Sequence, residues 1–352
     1  MALSVTIDIF ALMNKLLSLL VLFGGTLSAQ IGGNYAYQFI NIVPSARVAA
    51  QGGVPIAHTG DDLNFALWNP SLLNKEKSGQ VSISMVDYMS DILLGDVSYA
   101  RHFDSVGTFS VGLRYLSYGD FDRTNSIGIK TGTFTGTDMA LTFGYGYTID
   151  TNWSVGTNMK IINSKYDAYG STGLAFDFGV TYQVPSKRLS FALVAKNAGF
   201  QFNPYDAQRE KIPFELQLGV SNRFEHLPLR WSITYTHLER WDLRYDDPRD
   251  VRVNLDGEVE EDPPGVMNNL LRHFVVGAEF APTKSFNIQF GYNFRKRQEL
   301  NLESRRTSAG FSFGLGLKIS KFRINYARNM YHVAGGANNF SIVTNLGDFK
   351  KK

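Results

Sequence analysis

The sequence predicts an all-β protein, a fourteen-stranded antiparallel transmembrane β-barrel with an N-terminal plug or hatch segment in or near its lumen. Three observations carry that expectation. Stretches of about ten residues alternate apolar with small or polar side chains at period two. Their number is even, as in bacterial single-chain barrels. The links between them alternate short and long, a parity that a soluble sandwich does not require.

Residues 1–29 read as a secretory signal. Met13-Asn14-Lys15 opens a short positive region, Leu16 to Phe23 is apolar, and Leu27-Ser28-Ala29 supplies small residues before Gln30. That order and scale place the translation start at Met13 and the mature chain from Gln30. The apolar run falls short of the ~18 to 20 residues that a spanning helix needs.

Residues 30–79 do not alternate. Gly52-Gly53, Pro55, Gly60 and Pro70 argue against regular strand or helix, while Leu63, Phe65, Leu67 and Trp68 offer apolar anchors. This segment is expected on the short-turn side, folding inward as a plug, with Leu63, Phe65, Trp68, Asn69 and Pro70 at its contacts and Asn69-Pro70 forming a turn.

Residues 80–352 form the barrel proper. Strands are expected at 80–88, 92–102, 107–118, 138–148, 152–164, 173–183, 188–198, 213–223, 228–238, 272–281, 285–295, 307–318, 321–331 and 338–347. In DMALTFGYGYT, Met139, Leu141, Phe143, Tyr145 and Tyr147 share one face, and Ala140, Thr142, Gly144 and Gly146 the other. One face suits lipid and the other a small-residue interior. The same holds for LAFDFGVTY from Leu174, SFNIQFGYNF from Ser285 and GFSFGLGL from Gly310.

The links after even strands are short (FDSV, IDT, VPSK, FEHL, PTK and a turn near Ser320), whereas 119–137, 199–212, 239–271 and 296–306 are long. Periplasmic turns are short and outer loops long in such barrels, so the amino terminus is expected in the periplasm and the long loops outside the cell. Trp153, Trp231, Tyr118, Tyr166, Tyr182 and Tyr292 suit aromatic girdles.

Six charged residues fall on the inward parity: Arg114, Lys160, Asp177, Lys196, Glu215 and Glu279. On the lipid face a basic residue would cost ~2 to 4 kcal/mol at mid-membrane, so they belong inside. Reflection about each hairpin sets Lys160 near Asp177, Asp177 near Lys196 and Lys196 opposite Glu215. An alternating-sign row across four neighbouring strands is therefore expected, its first purpose being to pair charge within the lumen.

A formal charge of +3 with 19% charged residues gives no basic surface for nucleic acid. The absence of cysteine removes disulfides, thiolate metal sites and a cysteine nucleophile. The six histidines are scattered; His237 and His273 can approach one another at the outer ends of strands nine and ten, with Ser and Asp available in loops, but no nucleophile is placed beside either. In DDPRDVRVNLDGEVEEDPPG a calcium-loop frame from Asp250 fails, because Arg252 stands where an oxygen ligand belongs and Leu255 where the turn needs glycine. No catalytic residue, metal or cofactor is expected. Two outer loops read as partner contacts: Trp241, Arg244, Tyr245 and Arg249 in the longest, and Arg295, Lys296, Arg297, Arg305 and Arg306 in a basic one suited to lipopolysaccharide phosphates or an acidic partner.

An Asn-Pro-Ser-Leu element after a Ser-Ala-Arg…Gly-Gly stretch, ahead of fourteen strands, resembles the barrel superfamily of long-chain fatty-acid transporters. Within it the chain is similar to the PorV and PorQ proteins of the type IX secretion system. FINIVPSARVAAQGG, DDLNFALWNPSLL, VAKNAGFQ at 194–201, LRHFVVGAEF at 271–280, GYNFRKRQEL at 291–300 and AGFSFGLGLKISKFRINYA at 309–327 look closer to the PorQ pattern. The resemblance covers essentially the mature chain and implies a non-enzymatic outer-membrane member of the surface attachment complex. Such a protein anchors PorZ and works with the PorU sortase and PorV, which process cargo and couple it to lipopolysaccharide. The alternative, from the wider superfamily, is passive transport of hydrophobic small molecules; inward faces of Gly, Ser, Thr, Asn and charge weigh against a greasy path.

Overall fold

The computed structural model describes residues 35–88, 92–243, 265–300, 308–332 and 335–349. The expected leader at 1–29 lies outside them. Fourteen strands close into one barrel: β1 Gln80–Asp87, β2 Leu93–Phe103, β3 Gly107–Thr124, β4 Lys130–Thr148, β5 Trp153–Tyr166, β6 Tyr169–Val184 and β7 Leu189–Asn203, then β8 Glu215–Arg223, β9 Leu229–Tyr235, β10 Phe274–Phe280, β11 Phe286–Asn293, β12 Phe311–Ile319, β13 Phe322–His332 and β14 Gly335–Asn345. Each pairs antiparallel with its sequence neighbours, and β1 closes the seam against β14 from Gln80↔Asn345 to Asp87↔Asn338. Closure satisfies every ladder without leaving an edge, which is what a sheet in hydrocarbon must do. Among the described residues no helix is long and apolar enough to cross a membrane.

The period-two pattern sets the faces. Met139, Phe143, Tyr147, Phe178, Phe290, Phe311, Leu315 and Leu317 are exposed on the outside, while Ser, Thr, Asn and charged residues are buried between them. Boundaries move where ladders run on: β7 continues to Asn203, into the expected loop 199–212, and the largest shift is at β3 and β4. The expected loop 119–137 is largely ribbon, because β3 and β4 go on pairing to Thr124↔Lys130. Thr-rich alternation sustains the ladder, Phe121 stacks on Phe134 at 5.3 Å, and Asn125 Oδ1 caps the turn by accepting from the Ile127 and Ile129 amides.

The segment ahead of β1, expected to fold inward from the short-turn side, makes contacts at both rims. Tyr35 bridges to Lys211 in the long-loop connection between β7 and β8, and the Ala36 amide donates to the Lys211 carbonyl. Tyr37 pairs with Ser171 near the start of β6. At its other end Lys75 meets Asp104 in the short turn between β2 and β3 at 3.1 Å. Residues 35–79 therefore run the length of the barrel interior, from the long-loop rim to the short-turn rim, before β1 begins.

The inward glycines explain how a polypeptide fits there. A Cβ on Gly156 would lie 2.3 Å from the Pro70 carbonyl, and one on Gly291 would lie 2.1 Å from the Gly52 amide nitrogen. Backbone touches backbone at these points. Apolar contacts form two main layers: Tyr37, Phe39 and Ile40 with Leu94, Leu116 and Ile162, and Leu63, Phe65, Trp68, Leu72 and Leu73 with Ala100.

Gly156→Val is expected to unseat residues 69–73 while leaving the strand ladders formed, at a cost of about 1–3 kcal/mol from overpacking. Limited proteolysis of the micelle-solubilised protein checks this: cleavage within residues 35–79 should rise in the variant, and unchanged resistance would show that the contact is not limiting.

Candidate functional site

Two places gather functional chemistry: the charge network inside the barrel and the long-loop rim. The inner network centres on Arg47, carried by the one-turn helix Ala46–Ala49. Its Nη2 and Nε donate to both Glu279 carboxylate oxygens, at 2.6 and 3.2 Å, and its Nη1 reaches Asp62 at 3.5 Å. Planar two-point pairing of this kind is what a guanidinium supplies and an ammonium cannot. The Glu279 and Asp62 carboxylates thus offset the burial of the guanidinium.

Neighbouring groups fasten the same segment. Gln51 donates to the Arg47 carbonyl at 3.2 Å, and its Oε1 lies 3.0 Å from His58 Nδ1. The buried His58 ring stacks on Phe65 at 4.0 Å. Arg323 donates twice to Asp61, at 3.0 and 2.7 Å. Lys77 donates to the Gly60 carbonyl at 2.8 Å.

Asn69 does more than turn the chain. Its Oδ1 accepts from the Ser71 amide and so caps the 3-10 turn Pro70–Leu72. Its Nδ2 donates to the Ile56 carbonyl at 2.7 Å and to Thr181 Oγ1 at 3.1 Å. Leu63, Phe65, Trp68 and Pro70 are buried around it.

The expected charge row holds at one step and breaks at the next. Lys160 Nζ sits 2.7 Å from Asp177 Oδ2. Lys196 and Glu215 are register partners across β7 and β8, yet Lys196 forms no ion pair with Asp177 or Glu215. A bulge is the reason. The β6–β7 register shifts between Phe176 and Phe178, and Asn197 adopts a left-handed φ of 57°. The bulge brings the Asn197 amide onto Asp177 Oδ1 at 2.8 Å and its side-chain oxygen onto Lys160 Nζ at 2.8 Å. Lys196 Nζ lies instead 3.8 Å above the Trp68 ring. Glu215 accepts from Gln217 at 2.7 Å.

Sequence reading missed several members. Asp96 pairs with Arg114 at 3.2 Å and lies on the inward parity of β2, so alternation could have found it. Asp138 is buried, and Tyr118 and Tyr166 donate to its Oδ2 at 2.7 and 2.8 Å. Those two tyrosines therefore leave the expected girdle, because a buried carboxylate needs donors. Trp153 and Tyr182 do stack on the exposed side, at 4.7 Å. Arg47 gave no signal, since the segment carrying it has no period.

At the long-loop rim Trp241 is 55% exposed. Its carbonyl accepts from Asn269 Nδ2 at 2.6 Å, and its ring packs against His273. The helix Val266–Arg272 presents Val266 and Met267, 73% and 65% exposed, and the β3–β4 tip presents Ile127 at 76%. Arg244, Tyr245, Arg249, Arg305 and Arg306 lie outside the described residues, as does the carboxylate-rich stretch. Arg295 is turned onto Glu299 at 2.7 Å and His237 at 2.6 Å. Lys296 lies over Tyr331 at 4.7 Å, and Arg297 packs against Gly310. The basic patch is thus partly engaged within the rim. His273 directs both ring nitrogens at carbonyls, Thr236 at 2.7 Å and Trp241 at 3.0 Å, and His237 faces Glu239 at 2.9 Å. Among the described residues neither ring meets a hydroxyl.

The sequence model for the type IX secretion system protein PorV matches residues 32–224, the inner segment and the first eight strands. No curated protein matches the chain. Among solved structures, the Pseudomonas putida toluene transporter TodX is similar at a TM-score of 0.52 and 12% identity, covering 90% of this chain and 98% of that one. The CymD monoaromatic hydrocarbon channel gives 0.51 and 11%, covering 88% and 99%. At such identities the likeness is one of fold.

Glu279→Gln takes from Arg47 its two-point counter-charge and leaves the longer Asp62 contact at 3.5 Å, and a loss of about 3 kcal/mol, the low end for breaking a buried pair, is expected. Replacing both partners, Arg47→Met with Glu279→Leu, should recover part of it, since the buried Asp62 then loses the same guanidinium. Denaturant unfolding of the micelle-solubilised barrel reads both effects; equal losses in the single and double variants would mean the pair does not hold the segment.

Proposed function

The chain belongs to the PorV family of type IX secretion system proteins, and from that premise we propose that this outer-membrane barrel is a non-enzymatic component of the surface attachment complex. In this reading it is of the PorQ type. It anchors PorZ at the cell surface and, with PorU and PorV, supports the processing of cargo and its attachment to lipopolysaccharide.

The observation that carries the reading is the occupied interior. Residues 35–79 hold hydrogen bonds to strands around the circumference, including Ser341 in β14, Ser312 in β12, Glu279 in β10, Thr234 in β9, Ser190 in β7 and Thr181 in β6. A barrel filled by its own chain is suited to holding a partner at its rim. Trp241, Val266, Met267 and the Ile127 tip supply exposed apolar and aromatic anchors of the kind that dominate protein contacts. Passive passage of hydrophobic molecules is the second reading, supported by the fold shared with the toluene transporter; residues 35–79 would then act as a hatch.

Affinity capture from detergent-solubilised outer membrane separates the two. Recovery of PorZ and PorU with the barrel is the expected result. Recovery of the barrel alone, with uptake of a hydrophobic small molecule lost on deletion, would replace anchoring by transport.

Orientation has its own test, made simple by the absence of native cysteine. Ile127→Cys should react with a membrane-impermeant maleimide on intact cells, and Lys187→Cys, in the turn after β6, only after the outer membrane is opened. The reverse pattern would invert the assignment of long loops to the cell exterior.

A further inference from the structure

Midway along the interior, between the two apolar layers, lies a cavity of about 20 Å³ bounded by Ile40, Trp68, Asp96, Arg114, Lys160 and Lys196. Three cations and one carboxylate face it. The carboxylate is taken: Asp96 Oδ2 accepts from Arg114 Nε at 3.2 Å, and Arg114 also donates to the Ile40 carbonyl at 2.8 Å. Lys160 is satisfied by Asp177 and Asn197.

Lys196 is different. It is 2% exposed, and its Nζ makes no ion pair or hydrogen bond with any described residue; the group meeting it is the Trp68 ring, 3.8 Å to the centroid. Glu215, its register partner, has its carboxylate on Gln217 and 3.9 Å from His237. Charge inside protein is normally paired, and the Glu215 and Asp177 carboxylates act on this ammonium only from beyond ion-pairing distance. Contact with an indole face offsets only part of the cost of burying it. Arg114, with its Cζ 5.9 Å from the same ring, adds positive potential beside it.

We propose that this cavity is an anion site that holds one halide-sized ion, chloride in the cell, against Lys196, with Arg114 and Lys160 flanking. A cavity must offer roughly 10–15 Å³ to take a single water, so about 20 Å³ is room enough for one monatomic ion. The ion ties the inner segment to the wall, because Ile40 and Trp68 belong to the segment whereas Arg114, Lys160 and Lys196 belong to β3, β5 and β7. This site stands independently of the secretion reading.

The test uses the full chain in micelles. Crystals grown or soaked in sodium bromide should show one anomalous bromide peak in the cavity of the wild-type protein and none there in Lys196→Met. In solution, raising chloride about a hundredfold against gluconate at constant ionic strength should lift the wild-type unfolding midpoint by roughly 3–5 °C and leave Lys196→Met unmoved. Absence of a bromide peak in the wild type, or equal midpoints in chloride and gluconate, would overturn the site and leave a water in its place. The bromide experiment on the wild type keeps the proposal open to refutation even if the variant does not fold.

Discussion

Charge enclosed by a wall that lipid surrounds must be neutralised from within, and the Arg47–Glu279 pair is where this chain meets that demand. Glu279 sits on the inward parity of β10 opposite Arg230 of β9, yet among the described residues the guanidinium that pairs with it is Arg47, arriving from the inner segment. The segment and the wall are therefore electrostatic complements. Each would bury unpaired charge without the other, at Glu279 and Arg47, and Arg323 would lose Asp61.

Shape follows the same division. Strands that direct large residues outward leave Gly156, Gly277 and Gly291 facing in, and the backbone of residues 51–52 and 70–71 occupies the space that side chains would have taken. Polar caps then set the path of a segment with little regular structure: Asp62 accepts from the Asn64 amide, Asn69 from Ser71, and Asn339 reaches across to the Val43 carbonyl. The interior is a fitted second layer that lacks a sheet of its own.

The strands were legible because lipid on one side and a crowded polar interior on the other impose strict alternation, and closure imposes an even count. Charged residues on the inward parity could be read for the same reason. Which of them would pair could not. Hairpin reflection assumes an unbroken register, and the left-handed Asn197 bulge cancels that assumption between β6 and β7. The route of residues 35–79 was hidden more deeply. Their partners are hundreds of positions away, as with Arg47 and Glu279, and no period in the segment reports a contact made by single side chains. The reach of Tyr35 to Lys211, at the rim opposite the start of β1, is of that kind.

That route constrains the order of assembly. The threaded residues run straight into β1, and β1 forms the seam with β14, the last strand of the chain. Once this seam zips, the ring encircles a strand of polypeptide fixed near both mouths. Drawing such a thread through a finished ring would mean passing Trp68, Phe65 and Arg47 between side chains already locked together. The topology favours winding the wall around its filling over inserting the filling afterwards.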